Sequence, residues 1–77
     1  MAISVAIVED NPQVRHNLAR YIDGAPGFCC ACACASAEEA LRLISQALPD
    51  VVLMDIQLPQ MSGTACTARL KKMLPST

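Results

Sequence analysis

Three carboxylates occupy positions from which they could share one cation. Glu9 and Asp10 follow directly after the largely apolar residues 1–8, and Asp55 follows the largely apolar residues 50–54. If the two runs are neighbouring parallel strands, their carboxyl ends meet at one edge of the sheet. Carboxylates crowded there repel one another unless a cation joins them, and oxygen ligands of this kind suit Mg²⁺. The pattern favours a metal-assisted site, although Glu9 and Asp10 taken alone fit a helix cap or a solvated turn equally well.

The segments that would position these carboxylates are three predicted strands. Residues 1–8 form a β-branched run with a single polar residue, which is typical of a strand covered on both faces in a parallel sheet. Residues 28–35 predict a second strand built from small side chains. Residues 50–54 predict a third buried strand, which delivers Asp55 at its carboxyl end.

Helix signals follow each predicted strand. A first helix begins at Asp10 or Asn11, because either side chain can cap it and Pro12 costs nothing in its first turn. Ser36 and Glu39 have the spacing of a capping box and predict the start of a second helix. The apolar stripes comprise Val14, Leu18, Tyr21 and Ile22 in the first helix, Ala40, Leu41, Ile44, Ala47 and Leu48 in the second, and Cys66, Leu70, Met73 and Leu74 in a third.

The order of elements is therefore βαβαβα, which predicts a parallel sheet with helices on both faces. Right-handed crossovers restrict the topology. If the second strand lies on one side of the first and the third strand on the other, the strand order is 2-1-3. The first helix then lies on one face and the other two on the opposite face, giving a flavodoxin-like three-layer α/β/α fold. The ends of strands 1 and 3 flank a topological switch point, where such folds bind ligands.

Composition excludes several classes of protein. The 77 residues suit a single domain, and only 17% are charged, which excludes a solvated disordered segment. The formal net charge is −1, so the basic excess of a nucleic-acid-binding segment is missing and no direct contact with nucleic acid is expected. The apolar runs are too short to span a bilayer, and no secretion signal is visible. We expect a cytoplasmic protein with no membrane contact.

The five cysteines are the least usual feature of the composition. Cys29, Cys30, Cys32 and Cys34 lie within six positions, which is too close to join distant elements, and Cys66 is remote. An odd count without an export signal fits reduced thiols. A regular strand would place Cys30, Cys32 and Cys34 on one face and Cys29 on the other. Core packing is the favoured interpretation, with a thiol-based metal or redox sensor as the alternative.

Two segments carry a specific resemblance. The sequence VEDNP at residues 8–12, followed by DVVLMDIQLPQMSG at residues 50–63, resembles the receiver domain of bacterial two-component response regulators. The resemblance covers essentially the whole chain. It implies that Asp55 is the phospho-accepting aspartate, that Asp10 and Glu9 bind Mg²⁺ directly or through water, and that the backbone carbonyl of Gln57 is the third protein ligand. Pro59 and Gly63 would shape the loop that frames the site.

The resemblance also implies a function. Such a domain takes a phosphoryl group from a sensor histidine kinase onto Asp55 with Mg²⁺, and it switches an output, here expected to be transcription through a C-terminal DNA-binding domain. It is a phosphoacceptor that assists its own phosphorylation, not a turnover enzyme. The alternative is a degenerate flavodoxin-like module that binds Mg²⁺ or phosphate without being phosphorylated.

The chain departs from the family pattern in its number of strands. Receiver domains have five strands in the order 2-1-3-4-5, and residues 1–77 supply only the first three. The hydroxyl residue that ends strand 4 and the lysine that ends strand 5 in the family have no counterpart. We therefore expect a receiver domain truncated after its third helix, and we expect it to self-associate through the uncovered edge of strand 3.

Overall fold

The computed structural model describes residues 2–55 and 62–73. The strands are β1 (Ile3–Val8), β2 (Phe28–Cys34) and β3 (Val51–Met54). The helices are α1 (Pro12–Gly24), α2 (Ala37–Ala47) and α3 (Gly63–Met73). This order confirms the predicted βαβαβα arrangement.

The three strands form one parallel sheet in the order β2-β1-β3, as predicted. The Cα register of β1 with β3 runs from Val5 opposite Val51 to Val8 opposite Met54. Residues Val5 to Val8 of this central strand are buried. The central position of β1 places its carboxyl end between the ends of its two neighbours.

Two apolar clusters cover opposite faces of the sheet, and together they show the three layers. One cluster joins Val5 and Ile7 of β1 to Ile22 of α1. The other cluster lies under α2 and α3 and comprises Ala6, Val8, Cys34, Ala37, Ala40, Ile44, Cys66 and Leu70. The alternation of β1 side chains between the faces follows from the two-residue period of a strand. The predicted placement of one helix against two is confirmed.

The helix caps follow the sequence signals closely. Asn11 is the N-cap of α1, and its Oδ1 accepts hydrogen bonds from the N–H groups of Gln13 (3.0 Å) and Val14 (3.2 Å). Ser36 caps α2, and its Oγ accepts from the Glu39 N–H at 3.2 Å. Of the two candidates for the first cap, the structure selects Asn11, because Asp10 lies one residue too early to reach these groups.

A bulge in β2 overturns the predicted cysteine face. Val5 pairs with Cys30 and the next β1 residue, Ala6, pairs with Cys32, so Ala31 is an extra residue on β2. Cys30 consequently packs with the α1 cluster, whereas Cys32 packs with the cluster under α2 and α3. The prediction that Cys30 and Cys32 share a face was wrong, because a bulge shifts the alternation by one residue.

The predicted apolar stripes are only partly buried. On α1, Ile22 is buried and Leu18 is half-buried, but Tyr21 is 78% exposed. On α2, Ala40 and Ile44 are buried, whereas Leu48 is 62% exposed and takes a left-handed conformation (φ 49°) as the C-cap. The predicted stripes therefore include more apolar residues than the described sheet buries. No helix in the described part of the chain is both long and apolar enough to cross a membrane.

Candidate functional site

The hydrogen-bond pattern of the sheet continues one residue beyond the ends of β1 and β3. These bonds bring the acidic residues together. The Asp55 N–H donates to the Val8 carbonyl at 2.9 Å. The Glu9 N–H donates to the Cys34 carbonyl at 3.0 Å. Because β1 is tied to both neighbours at this edge, Glu9 and Asp55 leave the sheet side by side.

The carboxylates of Glu9, Asp10 and Asp55 form a cluster, which we call the acidic triad. One oxygen from each lies within 4.8 Å of the others. Glu9 and Asp55 are half-buried and Asp10 is exposed. The structure thus brings together all three carboxylates that the sequence placed at the switch point. It is the one group of potential metal ligands of this kind in the described residues.

The three carboxylates of the triad are close enough to interact electrostatically. The hydrogen bond from the Asn11 N–H lowers the pKa of Glu9, but partial burial, a hydrogen bond with Asp10 and the charges of Asp55 and Asp10 together raise it above the usual glutamate range. The part of this rise that comes from Asp55 and Asp10 is mutual repulsion among the ionised carboxylates. A divalent cation relieves that repulsion, so the donor set fits a hard cation such as Mg²⁺.

Two contacts that sequence reasoning missed shape the loop between β1 and α1. The Asn11 N–H donates to Glu9 Oε2 at 3.1 Å, and the Arg15 Nη1 donates to the Glu9 carbonyl at 3.0 Å. Asn11 was predicted only as a cap, and the sequence carries no local signal for the contact of Arg15, because it depends on where α1 packs. Both contacts orient the segment that carries Glu9 and Asp10.

A cavity of about 220 Å³ lies beside the triad. Glu9 and Asp55 supply its polar edge, and the other lining residues are apolar: Ile7, Val8, Leu18, Leu53 and Met54. A cation bound at this edge would meet the carboxylates on one side and a low-dielectric wall on the other. Such a wall strengthens electrostatic interactions at the site.

Part of the predicted site lies outside the described residues. Gln57, predicted to supply a backbone carbonyl to the metal, and Pro59, predicted to frame the loop, both lie in residues 56–61. Gly63 is described, and it is the buried first residue of α3.

The cysteines do not join the triad. All five are free thiols, and Cys34 and Cys66 are fully buried in the cluster under α2 and α3. Burial raises the pKa of Cys34 to about 12 and that of Cys66 above its ordinary value. Reactive and metal-binding cysteines need accessible thiolates. The packing of these two thiols therefore supports the interpretation of core residues.

A parallel sheet with an acidic triad at its switch point defines a doubly wound α/β domain with an acidic edge. A family model for the response regulator receiver domain matches residues 5–77. The chain is 36% identical over 74 residues to protein-glutamate methylesterase/protein-glutamine glutaminase 1 of Syntrophus aciditrophicus, covering 96% of this chain and 21% of that protein. It is 38% identical over 74 residues to transcriptional activator protein ExaE of Pseudomonas putida, covering 95% and 34%.

A solved structure agrees with these relatives. The response regulator domain of Thermotoga maritima CheB matches with a TM-score of 0.92 at 28% identity, covering 99% of this chain and 57% of that one. The chain belongs to the response regulator receiver domain family. It is thus a phosphoacceptor domain of two-component signalling with the flavodoxin-like fold. It spans about a fifth and a third of the lengths of the two relatives named above.

Proposed function

We propose that Asp55 is the residue that accepts the phosphoryl group. The observation that supports this most directly is the hydrogen bond from the Asp55 N–H to the Val8 carbonyl, because it seats the Asp55 carboxylate within 4.8 Å of Glu9 and Asp10 at the edge of the cavity. Asp55 is half-buried, so it is held in place yet remains open to a donor. The donor is a phosphohistidine of a sensor histidine kinase.

The protein contributes little covalent chemistry to this reaction beyond the Asp55 nucleophile. A carboxylate oxygen of Asp55 attacks phosphorus, the bond between phosphorus and the donor nitrogen breaks, and an acyl phosphate forms on Asp55. Carboxylates are weak nucleophiles toward phosphorus, so the rate depends on positioning and on neutralising charge. Glu9 and Asp10, with Asp55 and the Gln57 carbonyl, would hold Mg²⁺. When bound, Mg²⁺ neutralises the negative charge that develops on the transferring group.

The domain would act within a longer protein. The match to a transcriptional activator supports transcription as the output, through a C-terminal DNA-binding domain. Phosphorylation adds charge at the sheet edge, and such a change can shift a surface between two states. Because the chain covers 57% of the Thermotoga maritima domain, we also propose that residues 1–77 form the first three strand–helix units of a five-stranded receiver. We place this signalling step in the cytoplasm.

Phosphorylation of variants tests the proposal. The full chain is incubated with Mg²⁺ and a small acyl-phosphate donor, and phosphate on the protein is measured by intact mass. Asp55→Asn removes the nucleophile and nearly preserves its shape, so labelling should fall to background. Asp50→Asn is the matched control, because Asp50 lies just before the start of β3 and Asp55 just after its end. The Asp50 carboxylate accepts hydrogen bonds from the Ser4 N–H (2.9 Å) and the Ser4 hydroxyl (3.1 Å).

The control should label at the wild-type rate, because an asparagine oxygen can still accept from Ser4. Labelling of Asp55→Asn at the wild-type rate would overturn the assignment of the nucleophile. A wild-type chain that binds Mg²⁺ but takes up no phosphate would instead support the degenerate binding module.

A further inference from the structure

The carbonyl of Glu9 lies beyond the end of the sheet hydrogen bonds. The Glu9 N–H still donates to the Cys34 carbonyl of β2. In a parallel pair, the carbonyl of the same residue would next accept from a residue further along β2. That strand ends at Cys34, however, and among the described residues no backbone N–H donates to this carbonyl.

Arg15 supplies the missing donor. Its Nη1 lies 3.0 Å from the Glu9 carbonyl oxygen. Arg15 is half-buried in the first turns of α1, and its own N–H donates to the Asn11 carbonyl at 2.9 Å in the first helical hydrogen bond. The side chain therefore folds back over the turn that links β1 to α1. A planar, permanently charged guanidinium is well suited to such a bond with a backbone carbonyl.

This contact acts on the peptide group that joins Glu9 to Asp10. This peptide sets how the two side chains stand relative to each other, because a change in ψ of Glu9 or in φ of Asp10 alone would turn the Asp10 carboxylate away from that of Glu9. The N–H of Glu9 is held by β2, its carboxylate is held by the Asn11 N–H, and its carbonyl is held by Arg15. Of these three contacts, only the one from Arg15 is made by a donor side chain to the Glu9–Asp10 peptide. It can therefore be removed by a substitution.

We propose that Arg15 is a positioning residue for the acidic triad, acting through the Glu9 carbonyl to hold the Glu9–Asp10 peptide in the orientation that binds the cation. The proposal rests on the proposed function, because it assumes that the triad binds Mg²⁺. Residues that orient metal ligands typically matter about 10–100-fold for affinity when they are removed.

Arg20 provides a matched comparison. It is an exposed arginine on the same helix, five residues further along. Arg15→Met and Arg20→Met remove the same charge from α1 and keep an apolar stem. If Arg15 acted only through its charge on the helix, the two variants would resemble each other.

The test measures Mg²⁺ binding by calorimetry on the full chain, with amide hydrogen exchange recorded without metal. Arg15→Met should bind Mg²⁺ about tenfold more weakly, and Arg20→Met should stay within about twofold of wild type. Exchange at the Asp10 and Asn11 amides should be about threefold faster or more in Arg15→Met alone. Phosphorylation of Arg15→Met should need more Mg²⁺ for half-maximal rate, with the rate at saturating Mg²⁺ nearly unchanged.

Equal Mg²⁺ affinity in Arg15→Met and Arg20→Met would overturn the proposal. If Arg15→Met does not fold, Arg15→Lys decides: a lysine keeps the charge but cannot place a donor where Nη1 lies, so a loss of about threefold is expected and wild-type affinity would count against the proposal. A wild-type chain that binds no Mg²⁺ at millimolar concentration would instead refute the proposed function on which this inference rests.

Discussion

Glu9 and Asp10 are adjacent in the chain but differ in their surroundings. Glu9 is half-buried and one of its oxygens already accepts from the Asn11 N–H, whereas Asp10 is exposed. Within the described residues no backbone N–H donates to the Asp10 carboxylate, and a carboxylate without such a bond is better placed to bind a metal directly. Asp10 is therefore the better candidate for a direct ligand, and Glu9 for a ligand that acts through water.

This difference predicts unequal effects of two isosteric substitutions. Asp10→Asn should weaken Mg²⁺ binding by about tenfold or more, and Glu9→Gln should weaken it less, because only the first removes a direct charged ligand. Calorimetric titration of both variants against wild type measures the difference. Equal affinities, or a larger loss in Glu9→Gln, would reverse the assigned roles.

The cysteines differ in accessibility and so should differ in reactivity. Cys29, Cys30 and Cys32 are half-buried, while Cys34 and Cys66 are fully buried. With a pKa raised to about 12, only about one Cys34 in ten thousand is a thiolate at pH 8. Because the pKa of Cys34 is raised, its reactivity should rise only at a much higher pH than the reactivity of the more accessible thiols.

Alkylation with iodoacetamide at pH 8, followed by peptide mass spectrometry, should therefore modify Cys29 first and leave Cys34 and Cys66 unmodified in the folded chain. Unfolding in guanidinium is the control and should make all five cysteines reactive. Modification of native Cys34 as fast as Cys29 would show that the thiol is not packed in the core and would revive the sensor interpretation.

At the scale of elements, the start of α1 serves both the helix and the triad. The Asn11 side chain caps α1 through two N–H groups, and its backbone N–H holds the Glu9 carboxylate. Ser36 caps α2 in a comparable way through the Glu39 N–H, but Ser36 lies next to α2 and not in the loop that carries Glu9 and Asp10. Comparing substitutions at the two caps therefore separates an effect on the stability of the fold from an effect on cation binding by the triad.

Asn11→Ala and Ser36→Ala should each lower the free energy of unfolding by about 1 kcal/mol, because each removes a helix cap. Urea unfolding measures this loss. Only Asn11→Ala should also weaken Mg²⁺ binding, since it loosens the turn that carries Glu9 and Asp10. A similar loss of Mg²⁺ affinity in Ser36→Ala would mean that general stability, and not the turn, controls the site.

At the scale of the whole molecule, the sheet is covered unevenly. Within the described residues, β3 pairs only with β1, and Val51 and Leu53 are each 42% exposed. These two residues line a largely apolar cavity of about 330 Å³ together with Tyr21 and Phe28. An uncharged strand edge beside an apolar hollow favours association with a further strand or chain.

We expect the 77-residue chain to self-associate through β3, with an apparent molecular mass in sedimentation that rises with concentration. Leu53→Lys places a charge at this edge and should weaken self-association by about tenfold or more. Leu48→Lys adds the same charge at the exposed C-cap of α2 and should leave self-association unchanged. A wild-type chain that stays monomeric throughout the concentration range would refute the expectation.

The order of elements could be predicted from the sequence, and with right-handed connections so could a strand order of 2-1-3 and the place of the acidic triad. The periodicity of apolar residues and the caps at Asn11 and Ser36 are local signals, and right-handed connections leave few ways to arrange them. Once β1 and β3 are parallel neighbours, Asp55 must emerge beside Glu9 and Asp10. The triad was therefore predictable without coordinates.

Features that depend on strand register and on packing between elements could not be predicted from the sequence. The bulge at Ala31 moves Cys30 to the opposite face from Cys32, and no pattern within β2 announces it. The contact of Arg15 with Glu9 depends on how α1 lies against the sheet. The exposure of Tyr21 depends on how much of α1 the sheet covers. Each depends on how one element packs against another, because hydrogen bonds and burial are properties of the folded pair and not of either segment alone.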